Sequence, residues 1–226
     1  MQCESWNRVA ARLSVGKDHK PQWEEVDLMT VFVGALLVFL FPLAYSPGPD
    51  NMFFAAMGAR SGVAATLPAN AGYHVATLLV TGLVGAGFVV VLDPASTLFS
   101  LMKTAGSIYV LWLAWKMATA GGSNADVQNS GAGFFDGVML LLLNPKAYVI
   151  VLLMYSQFAG FQFASTGERI AIISLVFTVN NLLAFLLWTL AGDGLGRMFR
   201  SETSARRLNL VFASMLAGVA LWMLLG

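Results

Sequence analysis

The 226-residue chain has one cysteine, Cys3, two histidines and few charges, 11% of all residues. A single cysteine excludes an intramolecular disulfide, a thiolate metal site and dithiol electron transfer. With 13 basic against 12 acidic residues the net charge is +1, and no basic run or face marks a nucleic-acid or acidic partner. What fills the chain is hydrocarbon: 58% of residues are hydrophobic and the mean hydropathy is +0.72, far from an ordinary soluble domain. A spanning helix needs roughly 20 apolar residues, so the chain holds about six of them and leaves no room for a soluble catalytic domain. The many Phe, Met and Trp residues read as core or lipid-facing, and no cofactor site emerges from them.

Long apolar runs predict spans at 28–45, 64–92, 98–117, 133–158, 170–190 and 208–225. The connectors between them carry turn and surface chemistry: Asp93-Pro94, the Gly/Ser/Asn-rich stretch 120–130, and 192–207 with its four arginines. Residues 1–27 are polar, carry charges of both signs and lack the apolar core of a signal peptide. They read as an extension to a transmembrane domain of 28–226. Arg60, Lys116, Arg197, Arg200, Arg206 and Arg207 would share one side of the membrane. Lys103 and Arg169 on the other are joined by Arg8, Arg12, Lys17 and Lys20, so the charge count sets no orientation.

Two helix-breaking signatures interrupt the apolar runs, Ser46-Pro47-Gly48-Pro49-Asp50-Asn51 and Asn144-Pro145-Lys146. In lipid every backbone polar group needs a partner within the protein, so a broken span persists only where neighbouring helices or a polar cavity satisfy the freed groups. Gly48-Pro49-Asp50 and Asn144-Pro145-Lys146 share one grammar: a cap residue, proline at the first helical position, then a charge. Each break therefore starts a new half-helix whose N–H groups and positive dipole end suit a carboxylate. The segment 52–59 is too short to cross and reads as the second half of a broken first span. Breaks half a chain apart point to two repeats of three spans, and an odd number of spans inverts the second repeat in the membrane. The expected fold is an all-α integral membrane protein of six transmembrane helices, two inverted three-helix repeats with Pro-broken helices 1 and 4.

From about Met29 onward the chain resembles the LysE/RhtB family of bacterial amino-acid exporters. The resemblance rests on Ser46-Pro47-Gly48-Pro49-Asp50-Asn51, then Arg60-Ser61-Gly62, then Lys103-Thr104-Ala105-Gly106-Ser107-Ile108-Tyr109, then Leu143-Asn144-Pro145-Lys146-Ala147, in that order. It implies a multi-pass carrier of the bacterial cytoplasmic membrane that exports amino acids or related small metabolites, with the proton gradient as driving force, antiport as mode and a homodimer as a common assembly. The long N-terminal extension departs from the family's look. So do Pro68, Asn70 and His74 in the second span, which bear on the choice of substrate.

Asp50 and Lys146 are the leading site candidates, because an isolated charge in hydrocarbon is costly and needs a partner. They either lock to each other as a structural ion pair or hold a zwitterion between them, its ammonium at Asp50 and its carboxylate at Lys146 and the half-helix ends. The substrate-binding set is then Pro47, Gly48, Pro49, Asp50, Asn51, Asn144, Pro145 and Lys146. Proton coupling needs a group that titrates near working pH, Asp50 or His74, and His74 reads equally well as a hydrogen-bonded packing residue. Asn180 and Asn181, mid-way along the fifth span, either bond another helix or line the pocket. Tyr109 either meets substrate or packs, and Asp136, at the start of the fourth span, faces solvent or headgroups. Gly72, Gly82, Gly85 and Gly87 read as sites of close helix approach. A divalent-cation exporter of the same superfamily is the alternative, but one intramembrane histidine and one or two carboxylates make a poor ligand set. A membrane-embedded enzyme or redox carrier would want a nucleophile with its base, or paired cysteines, and neither is evident.

Overall fold

The computed structural model describes residues 22–87, 97–119, 132–199 and 201–225. Among them the chain forms seven α-helices and no strand: α1 (Gln22–Tyr45), α2 (Pro49–Gly85), α3 (Thr97–Thr119), α4 (Phe134–Leu142), α5 (Pro145–Gln157), α6 (Thr166–Met198) and α7 (Glu202–Leu225). The Asp93-Pro94 turn, the 120–130 loop and residues 1–21 of the N-terminal extension lie outside the described residues. Four helices contain stretches long and apolar enough to cross a bilayer, Leu28–Tyr45, Pro49–Gly85, Thr166–Met198 and Thr203–Leu225; α4 and α5 add a fifth if taken as one span bent by 64°. Helix α3, 23 residues long, occupies the predicted position of the third span.

At 37 residues α2 is too long to be one straight crossing, and it is two helices joined at Gly62, where φ is 78° and ψ is 171°. An L side chain is strained at that φ, whereas glycine reaches it freely, so the chain turns sharply there. The segment 52–59 thus sits in a short helix that starts at the first break and ends at this kink.

The distribution of side chains is that of a protein dissolved in lipid. Val38, Phe41, Leu79, Trp115 and Trp222 point outward, while Thr66, Asn70, His74, Thr77, Thr81, Asn180 and Asn181 are buried. The helices interlace between the two halves of the chain: α1 and α2 pack on α6, α4 packs on α2, and α3 packs on α7. Lipid tails are as apolar as leucine, so close backbone approach rather than hydrophobic exclusion must hold such pairs. Small residues provide it. A Cβ on Gly58 would collide with the Thr189 carbonyl oxygen, one on Gly192 with that of Ala55, and one on Gly196 with that of Ala59. At the opposite end of the bundle Phe32 sits edge-on to Phe158, Phe161 and Phe163 at centroid distances of 5.5, 5.0 and 4.9 Å, fixing α1 to the segment after α5.

The predicted connector at 192–207 is mostly helix instead, with α6 running to Met198 and α7 starting at Glu202. Its glycines resemble turn signals in the sequence, but Gly192 and Gly196 lie on the seam with α2. Gly72 and Gly85 do permit close approach, to Phe134 and Tyr155, whereas Gly82 and Gly87 face open space.

Candidate functional site

The first break begins where α1 ends at Tyr45. Gly48 is extended at φ −154° and ψ 172°, Pro49 takes the first helical position, and the Met52 N–H closes the first helical turn on the Gly48 carbonyl at 2.9 Å. Carbonyls at the end of α1 have lost their helical partners. Asn51 replaces them, its Nδ2 donating to the Ala44 and Ser46 carbonyls, both at 2.8 Å. It mends the break from inside.

The second break is capped by Asn144, whose Oδ1 accepts from the Lys146 N–H at 3.0 Å, with Pro145 at the first position of α5. Tyr148 donates its hydroxyl to the Leu142 carbonyl at 3.0 Å, taking up an acceptor freed at the end of α4.

The two breaks bond to each other. Asn144 Nδ2 donates to both Asp50 oxygens, at 2.5 and 2.6 Å, and the Tyr73 hydroxyl donates to Asp50 Oδ2 at 2.8 Å. In the other direction the Lys146 ammonium donates to Ser46 Oγ at 3.0 Å, and the Ser46 hydroxyl in turn donates to the Leu43 carbonyl at 3.2 Å. A Cβ on Gly48 would lie 3.1 Å from Lys146 Nζ, so glycine leaves the ammonium its place. Asp50 and Lys146 do not touch: no ion pair within 4.0 Å joins them, whereas Arg197 and Asp193 form one at 2.7 Å. Each charge is held by neutral groups on the opposite break. The two opposite charges thus attract through space while each takes its hydrogen bonds from neutral groups.

The remaining candidates separate. His74 is buried beside this node, its Nδ1 2.7 Å from the Asn70 carbonyl oxygen and its ring edge-on to Phe185 at 5.2 Å. Asn181 lies near the Tyr73 hydroxyl, and Asn180 is buried with its Nδ2 unpartnered. Tyr109 is elsewhere. Its hydroxyl donates to Asp136 Oδ1 at 3.3 Å, and Asp136 accepts from the Gly133 N–H at 2.7 Å to cap the start of α4. That pair belongs to a helix end rather than to the meeting of the breaks.

Two contributors were not in the predicted set, Tyr73 and Ser46. Tyr73 was legible in principle, because Asn70, Tyr73, His74 and Thr77 fall at helical spacing on one face of an apolar span. Removing its hydroxyl leaves Asp50 with Asn144 alone, so Tyr73→Phe is expected to slow transport about tenfold or less, the scale of one charge-assisted hydrogen bond of roughly 1.5–3 kcal/mol partly replaced by water. Initial transport rates at equal membrane abundance measure it.

A family model described as LysE type translocator matches residues 41–226. The chain is similar to a cysteine/O-acetylserine efflux protein of Salmonella paratyphi A, 28% identical over 82% of this chain and 94% of the relative. It is 30% identical to the cysteine/O-acetylserine efflux protein of Escherichia coli O1:K1 / APEC over 81% and 93% of the two chains. A leucine efflux protein of Klebsiella pneumoniae is 26% identical over 86% and 95%. No solved structure matches. With the family model covering both breaks and all of the chain beyond them, the protein belongs to the LysE type translocator family.

Proposed function

We propose that this protein is a secondary carrier that exports amino acids or close analogues across the bacterial cytoplasmic membrane, with 28–226 as the transport domain and 1–27 as an appendage. The observation that carries the reading is the reciprocal bonding of the breaks, Asp50 to Asn144 and Lys146 to Ser46. The substrate ammonium takes the place of Asn144 at Asp50. Its carboxylate meets Lys146 and the N-terminal turns of α2 and α5, where backbone N–H groups have no helical acceptor. Efflux proteins for cysteine, O-acetylserine and leucine among the relatives support the substrate class.

Six spans in two inverted repeats fit the packing. Pairing the first span with the fifth, the second with the fourth and the third with the sixth is unchanged when the halves are exchanged, as the contacts of α1 and α2 with α6, α4 with α2, and α3 with α7 are. Rocking one broken span against the other would open the node to each side in turn. Exchange for a proton, carried by Asp50 or His74, and assembly as a homodimer complete the reading. A divalent-cation exporter has less support, since among the described residues no three His, Cys, Asp or Glu side chains are grouped to hold a metal.

The test is efflux from cells loaded with single amino acids, with and without the gene, and with the proton gradient collapsed. Lys146→Met keeps the length of the side chain and removes its charge; about tenfold or more of the rate should be lost with membrane abundance unchanged, from the roughly 2–5 kcal/mol attached to one partner of a buried charge pair. Wild-type cells that retain every amino acid as well as the deletion strain does would overturn the assignment.

A further inference from the structure

One turn of α2 beside the node carries three buried hydrogen-bonding atoms without partners: Asn70 Oδ1, Asn70 Nδ2 and His74 Nε2. Asn70 is 2% exposed and His74 7%. Buried polar atoms are almost always paired, because leaving them dry forfeits the hydrogen bonds they made in water. Residues four apart share a helix face. Tyr73, whose ring lies 5.4 Å from that of His74, donates to Asp50 at 2.8 Å, so one side chain links these atoms to the group assigned to the substrate ammonium.

The chemistry of these atoms is defined. His74 Nδ1 lies 2.7 Å from the Asn70 carbonyl oxygen and the Asn181 backbone also approaches the ring, so Nε2 is a donor or an acceptor according to which nitrogen carries the proton. This face of α2 therefore offers amide donors at Asn70 Nδ2 and an acceptor at Asn70 Oδ1, with His74 Nε2 beside them as donor or acceptor and no charge in the neutral ring. Phe185 closes one flank, its ring 5.2 Å from that of His74 and 4.6 Å from that of Tyr73. A guest that both gives and accepts a hydrogen bond satisfies these atoms; an aliphatic guest leaves them unpaired, and a charged one meets no countercharge.

We propose that Asn70 and His74 form the subsite for the substrate side chain, and that they select small amino acids bearing a neutral hydroxyl, thiol or carboxamide over aliphatic ones. This rests on the exporter reading above. A site built to hydrogen-bond its substrate rejects an analogue lacking that group far more strongly than an apolar pocket rejects one methylene.

The experiment loads cells separately with serine, threonine, asparagine, valine or leucine and follows efflux from wild type, Asn70→Leu and His74→Leu at matched membrane abundance. Wild type should export the polar set about tenfold faster than the aliphatic set. Each variant should lose that preference: in Asn70→Leu polar efflux falls while leucine efflux holds or rises, and in His74→Leu, where a role in proton exchange would lower every rate, the ratio of polar to leucine efflux falls toward one. Equal wild-type rates for serine and leucine overturn the subsite, as does a parallel fall for all five substrates in both variants, which marks a packing role. If neither variant reaches the membrane, the wild-type preference decides alone. Export of none of the five overturns the subsite, and the exporter reading falls with it only if the full amino-acid panel is retained as well; efflux that needs Asp50 but ignores side-chain polarity removes the subsite only.

Discussion

Asp50→Asn will lower amino-acid efflux by about a hundredfold while the protein still accumulates in the membrane. The two side chains have the same shape, so the helix start at Pro49 and the packing around it are kept. What is lost is the only anion at the meeting of the breaks. Asn144 and the Tyr73 hydroxyl remain as neutral neighbours, and an incoming ammonium finds a half-satisfied amide in place of a carboxylate. Truncating one member of a buried charge interaction costs about 2–5 kcal/mol, and each 1.4 kcal/mol is a factor of ten. Initial efflux rates at equal abundance in membrane fractions check it, and a variant within about twofold of wild type would detach Asp50 from substrate binding.

The second large effect falls on assembly. Gly192→Val should reduce membrane abundance by about tenfold or more, because the new Cβ is driven into the backbone carbonyl of Ala55, which cannot swing aside as a flexible side chain would. Overpacking a well-filled interior costs about 1–3 kcal/mol and more where nothing yields. Van der Waals fit is the main attraction between helices in lipid, so the loss falls on the contact that seats the half-helix after Pro49. Gly82→Val is the control. It lies on α2, the helix that Gly192 of α6 packs against, and a Cβ there meets nothing within 4 Å, so normal accumulation is expected. Equal loss in both variants would mean that helix propensity rather than the seam decides.

The breaks were readable because their signals are local. Proline removes a donor, glycine and asparagine cap, and a charge among apolar residues stands out, all within a few consecutive positions. The partners of those charges were not readable. Asn144 reaches Asp50 across 94 residues and Lys146 reaches Ser46 across 100, and no periodicity encodes such distances. Direct pairing of aspartate with lysine was one of the two readings open to the sequence, and the contact is absent because neutral groups lie nearer to each charge. Tyr109 and Asp136 each drew notice alone, but their bond to one another needed coordinates. The connector expected at 192–207 begins inside α6 for a plain physical reason. A turn that needs freedom and a helix seam that needs the absence of a side chain select the same residue.

The long separation between Asp50 and its amide donor has a consequence for biosynthesis. At about 5–20 residues per second, the 94 residues between them take roughly 5–20 s to be made. Until Asn144 emerges, the carboxylate has at most the tyrosine hydroxyl for company. The nascent chain must keep that half-helix in the water-filled insertion machinery or at the headgroup surface during the wait, and the aspartate can enter its final depth only as a late event of maturation.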